Sequence, residues 1–331
     1  MSALCRLCSS PGTTTLFESR DRIHGFPGKF TIIRCRRCRA LFIEPWLTER
    51  ELAAYYPEYY GRYRRSRSLD RKSYKGIKRF VLENAYGYPP REEGRSSVLR
   101  RAAALLLSLV MAKDAIPYRG EGRFLDIGCG GGSYLYRLRQ WGWEVHGVEP
   151  SRSGVAQARS LGLEVHHGRV RDAKFPDRFF DVIRLHHVLE HLTEPNETLR
   201  EIARILKPDG VVTITVPNTR SLNFWLFQEN WYGLDAPRHV ISYCPEALRL
   251  LCDATGFAIA GIRFRSGAFN FVRSVKFLMQ EKGQRLPEWL HGVDWAGSRL
   301  IRRTLKPLFF LVDFLRLGDI MEATLEKRPG I

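Results

Sequence analysis

The sequence has no run of 18 apolar residues, so no segment is long enough to cross a bilayer as a helix. Its first residues, Met1-Ser2-Ala3-Leu4-Cys5-Arg6, lack the basic-then-apolar pattern of a secretory leader. A cytoplasmic site with reduced thiols is expected, with peripheral attachment to the inner membrane face as a variant of it. Acidic residues are scarce: 35 Asp and Glu stand against 53 Lys and Arg, for a net charge of +18. That excess points to an anionic neighbour: nucleic acid, anionic lipid or a phosphorylated substrate. Cysteine is also sparse, with seven in 331 residues. Hydrophobic residues, at 44%, are not scarce, and the length suffices for one large domain plus an accessory one.

Four of the seven cysteines form two pairs, Cys5-x-x-Cys8 and Cys35-x-x-Cys38, with 26 residues between Cys8 and Cys35. Each pair makes a tight turn whose sulfurs point at one metal, and together they match a four-thiolate zinc ribbon. In a reduced compartment disulfides are the weaker account. Four protein ligands leave no open position, so Zn2+ here is structural. Thr13–Glu18 and Lys29–Ile33 read as short strands between the knuckles. Cys129, Cys244 and Cys252 lack partner spacing and read as small buried residues.

From Arg62 to Arg101 the chain carries 13 Arg and Lys against 4 Asp and Glu, with tyrosines interleaved. A helix-forming stretch follows over Val98–Ala112. This segment reads as a solvated linker and covering helix, as a basic surface on an anionic membrane, or as a nucleic-acid footprint.

The stretch Phe124-Leu125-Asp126-Ile127-Gly128-Cys129-Gly130-Gly131-Gly132-Ser133 is an apolar strand running into a glycine-rich turn. Such a turn lets backbone N–H groups approach a ligand. A helix opens at Ser133 and stops at Gly142. A second strand ends on Glu149, 21 residues after Gly128, where an acid takes a ribose hydroxyl pair. A pyrophosphate gains little from Asp126, two residues before Gly128, whereas the sulfonium and amino group of S-adenosylmethionine (SAM) would. The acid therefore favours SAM over a nicotinamide or flavin dinucleotide.

Downstream, strands at Leu163–His167, Phe179–Leu185 and Val211–Val216 alternate with helices at Ser153–Leu161 and Glu194–Leu206, the second stopped by Lys207-Pro208-Asp209-Gly210. The alternation predicts a parallel, doubly wound sheet with its ligand at the carboxyl strand ends. His187 and His191 stand four apart around Glu190. The order is not His-Glu-x-x-His and no third ligand is evident, so metal is the lesser reading. Glu190 and His191 are expected to make helix-start hydrogen bonds.

Leu125–Gly132, Glu149, Phe180–Ile183, His187–His191, Leu206–Gly210 and Pro217-Asn218 together resemble a class I SAM-dependent methyltransferase. The resemblance covers residues 118–265 and implies a Rossmann-like, seven-stranded doubly wound α/β sheet. A ribbon ahead of such a domain is similar to the deoxysugar C-methyltransferases. By that resemblance Gly128, Gly130 and Gly132 line the methionine part of SAM, with Asp126 nearby, and Glu149 takes the ribose. Val170 and Arg171 would border the adenine, and His186 or His187 would close the pocket.

An acceptor site is sought after strand five, in Trp231-Tyr232-Gly233-Leu234-Asp235-Ala236-Pro237-Arg238-His239-Val240-Ile241-Ser242-Tyr243. So many polar and aromatic groups in a Pro/Gly loop suit binding. His239 is the expected general base, oriented by Asp235, with Tyr243 on the acceptor oxygen. Trp231, Tyr232 and Arg238 are the expected substrate contacts. The alternative is a lid with a structural His239. Pro245–Thr255 reads as a helix, Phe257–Arg265 as strand six and Met321–Lys327 as a final antiparallel strand. The chain then divides into a ribbon (1–45), a basic linker and helix (46–117), the methyltransferase domain (118–265), a helical insertion (266–319) and a last strand (320–331). The insertion holds a basic then apolar run, Arg299–Arg316, that suits a membrane interface, a dimer contact or an acceptor lid.

The expected activity is SAM-dependent methylation of a sugar, nucleotide sugar or lipid-linked glycan. The competing class is an RNA methyltransferase whose ribbon and basic segment grip phosphates. Against methylation of base amino groups or of base C5, the end of strand four holds Leu185-His186-His187 rather than an Asn/Asp-Pro-Pro-aromatic run or a nucleophilic cysteine, which leaves ribose and ring-nitrogen methylation open. A scaffold without turnover is a third, weaker class.

Overall fold

The computed structural model describes residues 4–56, 76–90, 98–111, 115–283 and 303–328. Most of the basic segment, and 284–302 within the insertion, lie outside these residues. In chain order the elements are β1 (Thr13–Ser19), β2 (Phe30–Cys35), β3 (Leu41–Glu44), α1 (Glu49–Ala53), α2 (Ile77–Ala85) and α3 (Val98–Met111). Then come β4 (Arg123–Ile127), α4 (Ser133–Arg139), β5 (Glu144–Glu149), α5 (Arg152–Ser160), β6 (Glu164–His167), β7 (Phe180–His186) and α6 (Pro195–Ile205). The last are β8 (Leu206–Pro217), α7 (Leu222–Phe227), β9 (Ile241–Ser242), α8 (Pro245–Ala254), β10 (Phe257–Arg265), α9 (Ala268–Glu281), α10 (Lys306–Phe314) and β11 (Ile320–Lys327).

A seven-stranded sheet has the order β10-β11-β8-β7-β4-β5-β6. β4, β5 and β6 pair in parallel, and β10 pairs with β11 antiparallel. The order runs outward from β4 to β6 and resumes on the other side of β4 with β7, so the topological switch lies beside β4. The expected doubly wound sheet and its closing antiparallel strand are both present.

The chain divides into two compact units. One comprises Tyr59–Arg184 and Arg204–Val211. Its core gathers Phe124, Leu135, Val155, Val182 and Val211. After Arg123 every residue of β4 is buried, which a parallel strand covered on both faces requires. α4 opens just after Gly132, its N-cap, which takes the left-handed conformation at φ +74°. A Cβ there would stand 2.5 Å from Leu163 Cδ1. α5 is capped by Ser151, whose hydroxyl accepts from the Gly154 N–H at 3.3 Å.

In this unit one boundary departs from expectation. The helix stops before Lys207-Pro208-Asp209-Gly210 as expected, but the following strand, expected from Val211, already starts at Leu206. The reason is tertiary: Leu206 is fully buried, and Lys207 Nζ pairs with Asp181 at 2.9 Å and Glu121 at 3.3 Å. These anchors hold the segment extended.

The other unit comprises Met1–Glu58, Leu185–Ala203 and Val212–Ile331. Here the ribbon strands form a four-stranded sheet, β1-β2-β3-β9. β3 and β9 were not anticipated. β9 comes from the loop expected to bind the acceptor, and it pairs Ile241 with Phe42 and Ser242 with Leu41. The loop and the ribbon are thus one structure rather than separate modules.

Candidate functional site

The glycine loop is built by the carboxyl end of β4. Gly128, Gly130 and Gly132 all have positive φ, at +70°, +56° and +74°. A side chain would strain each of these positions. The N–H groups of Gly128 and Cys129 donate to the Val148 carbonyl at 2.7 and 3.2 Å, which ties the loop to β5. Glu149 closes β5 and is only 3% exposed. Its Oε2 accepts from the Gly130 N–H at 2.8 Å, and its Oε1 accepts from the Ser151 N–H at 2.9 Å. The acid and the loop therefore hold each other in place. A ribose suits this donor set: an oriented carboxylate at the strand end beside a backbone turn with no Cβ in the way.

Asp126 is buried on β4. Arg184 of β7 donates to both its oxygens, at 3.1 and 3.2 Å, and the guanidinium lies 4.0 Å over the Tyr134 ring. Burial pushes the Asp126 carboxyl up, and the Arg184 charge opposes that shift. The sequence reading paired Asp126 with the cofactor alone. The structure adds an internal cation that reading did not consider. Val170 and Arg171 sit in a short 3₁₀ turn, Val170–Ala173, with Val170 buried. A cleft of about 560 Å³ in the same unit is lined by His146, Arg159, Glu164 and Phe175 rather than by the glycine loop.

In the other unit, buried carboxylates and imidazoles collect around the loop Trp231–Tyr243. His186 ends β7, and His187 follows with a left-handed φ of +55°. The His187 N–H donates to the Thr215 carbonyl at 2.9 Å, and its Nδ1 stands 3.0 Å from Glu190 Oε1. Glu190 and His191 occupy a 3₁₀ turn, Leu189–His191. Glu190 is fully buried. Burial alone would raise its carboxyl, but the His187 hydrogen bond and the surrounding imidazoles pull it down to about 2. Burial, reinforced by the neighbouring His239, lowers His191 to about 4.

His239 is anchored through Nδ1, which stands 2.8 Å from the Gly233 carbonyl and donates to it. Its Nε2 stands 3.9 Å from both Glu190 Oε1 and Asp235 Oδ2. The ring is therefore oriented by a backbone carbonyl, and Asp235 contributes charge beside the opposite nitrogen. His191 and His239 lie 4.7 Å apart at 73°. Tyr243 is fully buried, and its hydroxyl donates to the Leu189 carbonyl at 3.4 Å.

Four residues were expected to touch the acceptor, and three of them are engaged inside the protein: Tyr243, buried on the Leu189 carbonyl, Arg238 and Trp231. Arg238 is fully buried between Asp21 and Asp235, and also donates to the Tyr55 carbonyl at 3.1 Å. Trp231 is buried and donates from Nε1 to Asp319 at 2.7 Å. Only Tyr232 is partly exposed. Sequence reasoning missed Asp21, Arg184 and the joining of Glu190 to His239. No local spacing connects these positions.

The four ribbon cysteines converge. Cys5 and Cys38 sulfurs are 3.6 Å apart, and Cys8 and Cys35 sulfurs 3.7 Å. All four lie within 4.8 Å of one another. A tetrahedron with metal–sulfur bonds of ~2.3 Å has edges of about 3.8 Å, so zinc fits this cage. The Cys38 N–H donates to Cys35 Sγ at 3.4 Å, as the turn of a metal knuckle does.

A family model described as "Methyltransferase domain" matches residues 93–260, half of the chain. Among curated relatives, the chain is 30% identical over 133 residues to a ubiquinone biosynthesis O-methyltransferase of Idiomarina loihiensis, covering 38% of this chain and 51% of that protein. It is 28% identical over 141 residues to the protein of that name from Yersinia enterocolitica, covering 40% and 57%. The chain spans about half the length of these relatives. Among solved structures, a SAM dependent methyltransferase from Archaeoglobus fulgidus is similar with a TM-score of 0.45 and 23% identity, covering 68% of this chain and 94% of that one.

Proposed function

The chain belongs to the methyltransferase-domain family, and from that premise we propose that it transfers a methyl group from SAM to a small-molecule acceptor. The observation that carries this reading is the mutual hold of Glu149 and the glycine loop, through Gly130. Bound there, SAM would supply an electrophilic methyl group on a cationic sulfonium. Glu149 would hold the ribose, and the positive-φ glycines keep those loop positions free of side chains that would exclude the cofactor. Asp126 and Arg184 offer complementary charges to an amino-acid end, a carboxylate for the ammonium and a guanidinium for the carboxyl group.

His239 is the proposed general base. Its Nδ1 proton is used on Gly233, so Nε2 carries the lone pair, next to two carboxylates that would stabilise the imidazolium. The acceptor hydroxyl or acidic C–H would give its proton to Nε2, while the methyl group it takes would leave the sulfonium sulfur, which departs as neutral S-adenosylhomocysteine. Asp235 supplies charge beside Nε2, and Tyr243 acts by pinning the Leu189–His191 turn.

The proposed acceptor is a sugar, a nucleotide sugar or a lipid-linked glycan. The ribbon ahead of the domain and the +18 charge support it, the latter by favouring a phosphorylated molecule. The relatives' names support a small acceptor methylated on oxygen. Structural zinc is proposed at the four cysteines. A peripheral contact with anionic membrane is proposed for α10. It exposes Leu308, Phe310, Leu311 and Phe314 between Lys306 and Arg316. No helix among the described residues is long and apolar enough to cross a membrane.

The test is mass spectrometry of cell extract incubated with the purified protein and methyl-labelled SAM, fractionated into RNA, lipid and small polar pools. Label in the lipid or polar pool supports the reading, and His239→Ala should abolish it while SAM still binds. Label in RNA alone overturns it and recasts ribbon and basic segment as a phosphate grip, whose binding would fall steeply with salt.

A further inference from the structure

We propose that Glu190, His191 and His239 form a second metal site, one that binds a divalent first-row transition cation with open coordination positions. One ligand atom from each of the three lies within 4.8 Å of the others. The observation that points to a ligand is Glu190 Oε2. It belongs to a fully buried carboxylate and has no hydrogen-bond partner. An unpaired anionic oxygen in the interior is costly, and a cation removes that cost.

The surroundings are arranged as metal sites require. Each ligand imidazole has its Nδ1 at a backbone carbonyl: His239 on Gly233 at 2.8 Å and His191 on Arg238 at 3.0 Å, with the Tyr56 hydroxyl also 2.8 Å from His191 Nδ1. The Gly233 carbonyl fixes the His239 tautomer, and an Nδ1 proton donated to the Arg238 carbonyl leaves the Nε2 lone pair of His191 available as well. The third ligand is oriented in the same way, since His187 Nδ1 holds Glu190 Oε1 at 3.0 Å. Two imidazoles and one carboxylate suit Zn2+, Mn2+, Fe2+ or Co2+ rather than a hard, all-oxygen ion. Donors ~2.1 Å from one cation sit roughly 3.0–3.5 Å apart, so the cluster closes by about an ångström on binding. This cage differs in kind from the ribbon. Four thiolates fill a tetrahedron, whereas three ligands leave room for water or an acceptor oxygen.

The proposal deepens the reading of His239 and rests on that reading only for the site's use. In the cation-free protein, Nε2 is the proton acceptor. With a cation bound, the same lone pair would be a ligand, and an acceptor hydroxyl bound to the cation would release its proton to solvent rather than to His239. Binding itself is independent of methyl transfer, so the test reads it without turnover.

Protein holding a single zinc per chain, in the ribbon, and freed of any further metal by dialysis is titrated with Mn2+ and followed by electron paramagnetic resonance. One Mn2+ per chain with imidazole nitrogen coupling to the bound ion is expected. Glu190→Gln, His191→Ala and His239→Ala should each weaken binding more than tenfold, and His187→Asn by about tenfold through the carboxylate it orients. Circular dichroism checks that each variant is folded. Absence of saturable binding overturns the site. So does bound Mn2+ without nitrogen coupling, a measurement on the unmodified protein that no folding defect can confuse. Label transfer that fails while Mn2+ binds with nitrogen coupling would sink the functional reading and leave the metal site standing.

Discussion

The guanidinium of Arg238 grips both oxygens of the Asp21 carboxylate, Nη2 to Oδ1 at 2.7 Å and Nη1 to Oδ2 at 2.8 Å, across 217 positions of sequence. Both side chains are fully buried. Asp235 completes the arrangement from the other side, at 2.5 Å from Nη2. This pair stitches the ribbon to the loop that carries His239.

The pairing separates two accounts of Arg238. Removing one partner of a buried ion pair leaves an uncompensated charge and costs about 3–5 kcal/mol. Arg238→Met should therefore lower the stability measured by urea unfolding by about that amount. Arg238→Lys should recover only part of it, because an ammonium cannot grip a carboxylate with two parallel bonds. A pure acceptor contact would instead leave the unfolding midpoint unchanged and raise KM.

Acid should weaken this unit in two windows. Burial and His239 depress His191 to about 4, below the ordinary imidazole value of 6.5. The unfolded chain then binds the extra proton, so this contribution is complete above pH 6.5 and is lost as pH falls toward 4. Asp21, raised by burial but held down to about 2 chiefly by Arg238, adds stability that is present above pH 3.8 and lost as pH falls through 2. That shift corresponds to about 2 kcal/mol. Unfolding of metal-free protein between pH 7 and pH 2 should show both slopes. His191→Asn should flatten the upper one alone.

Glu149→Ala should weaken binding of S-adenosylhomocysteine, read by calorimetry, by at least tenfold, or about 1.4 kcal/mol. Two losses act together: the ribose partner disappears, and the Gly130 and Ser151 N–H groups lose their acceptor. Gly132→Ala should act on stability first. Its φ of +74° and a Cβ 2.5 Å from Leu163 Cδ1 put strain on the start of α4. Unchanged binding in Glu149→Ala would remove the ribose assignment.

Removal of zinc should destabilise the ribbon. Elemental analysis is expected to find one zinc per chain at the thiolate cage, released by a chelator with a matching gain of four reactive thiols. Cys35→Ser should lower zinc content and melting temperature together. Because β9 pairs with β3, the loop carrying His239 should become more protease-sensitive in the same variant.

Local pattern carried most of the cofactor half. The glycine spacing, Asp126 and Glu149 lie within one βαβ unit, where short-range geometry decides conformation, and the alternation of strands and helices repeats that unit along the chain. The ribbon was legible for a related reason: thiol spacing within a turn is a local property. The Lys207–Gly210 segment ends the helix as its residues imply, but the strand begins earlier than its Pro and Gly suggest, because Leu206 is buried and Lys207 is held by ion pairs. Arg184 gave no signal, since only the sheet order places β7 next to β4 and its guanidinium on Asp126.

The sequence by itself determined the family, the doubly wound sheet and the thiolate cage, because each is encoded in contiguous residues whose spacing sets their geometry. Only the tertiary structure decided what the polar loop does. It buried Arg238 against an aspartate from the ribbon and turned His239 toward Glu190. It also left one carboxylate oxygen of Glu190 without a partner. Those relations join positions tens to hundreds of residues apart, and they exist only once the chain has closed around them.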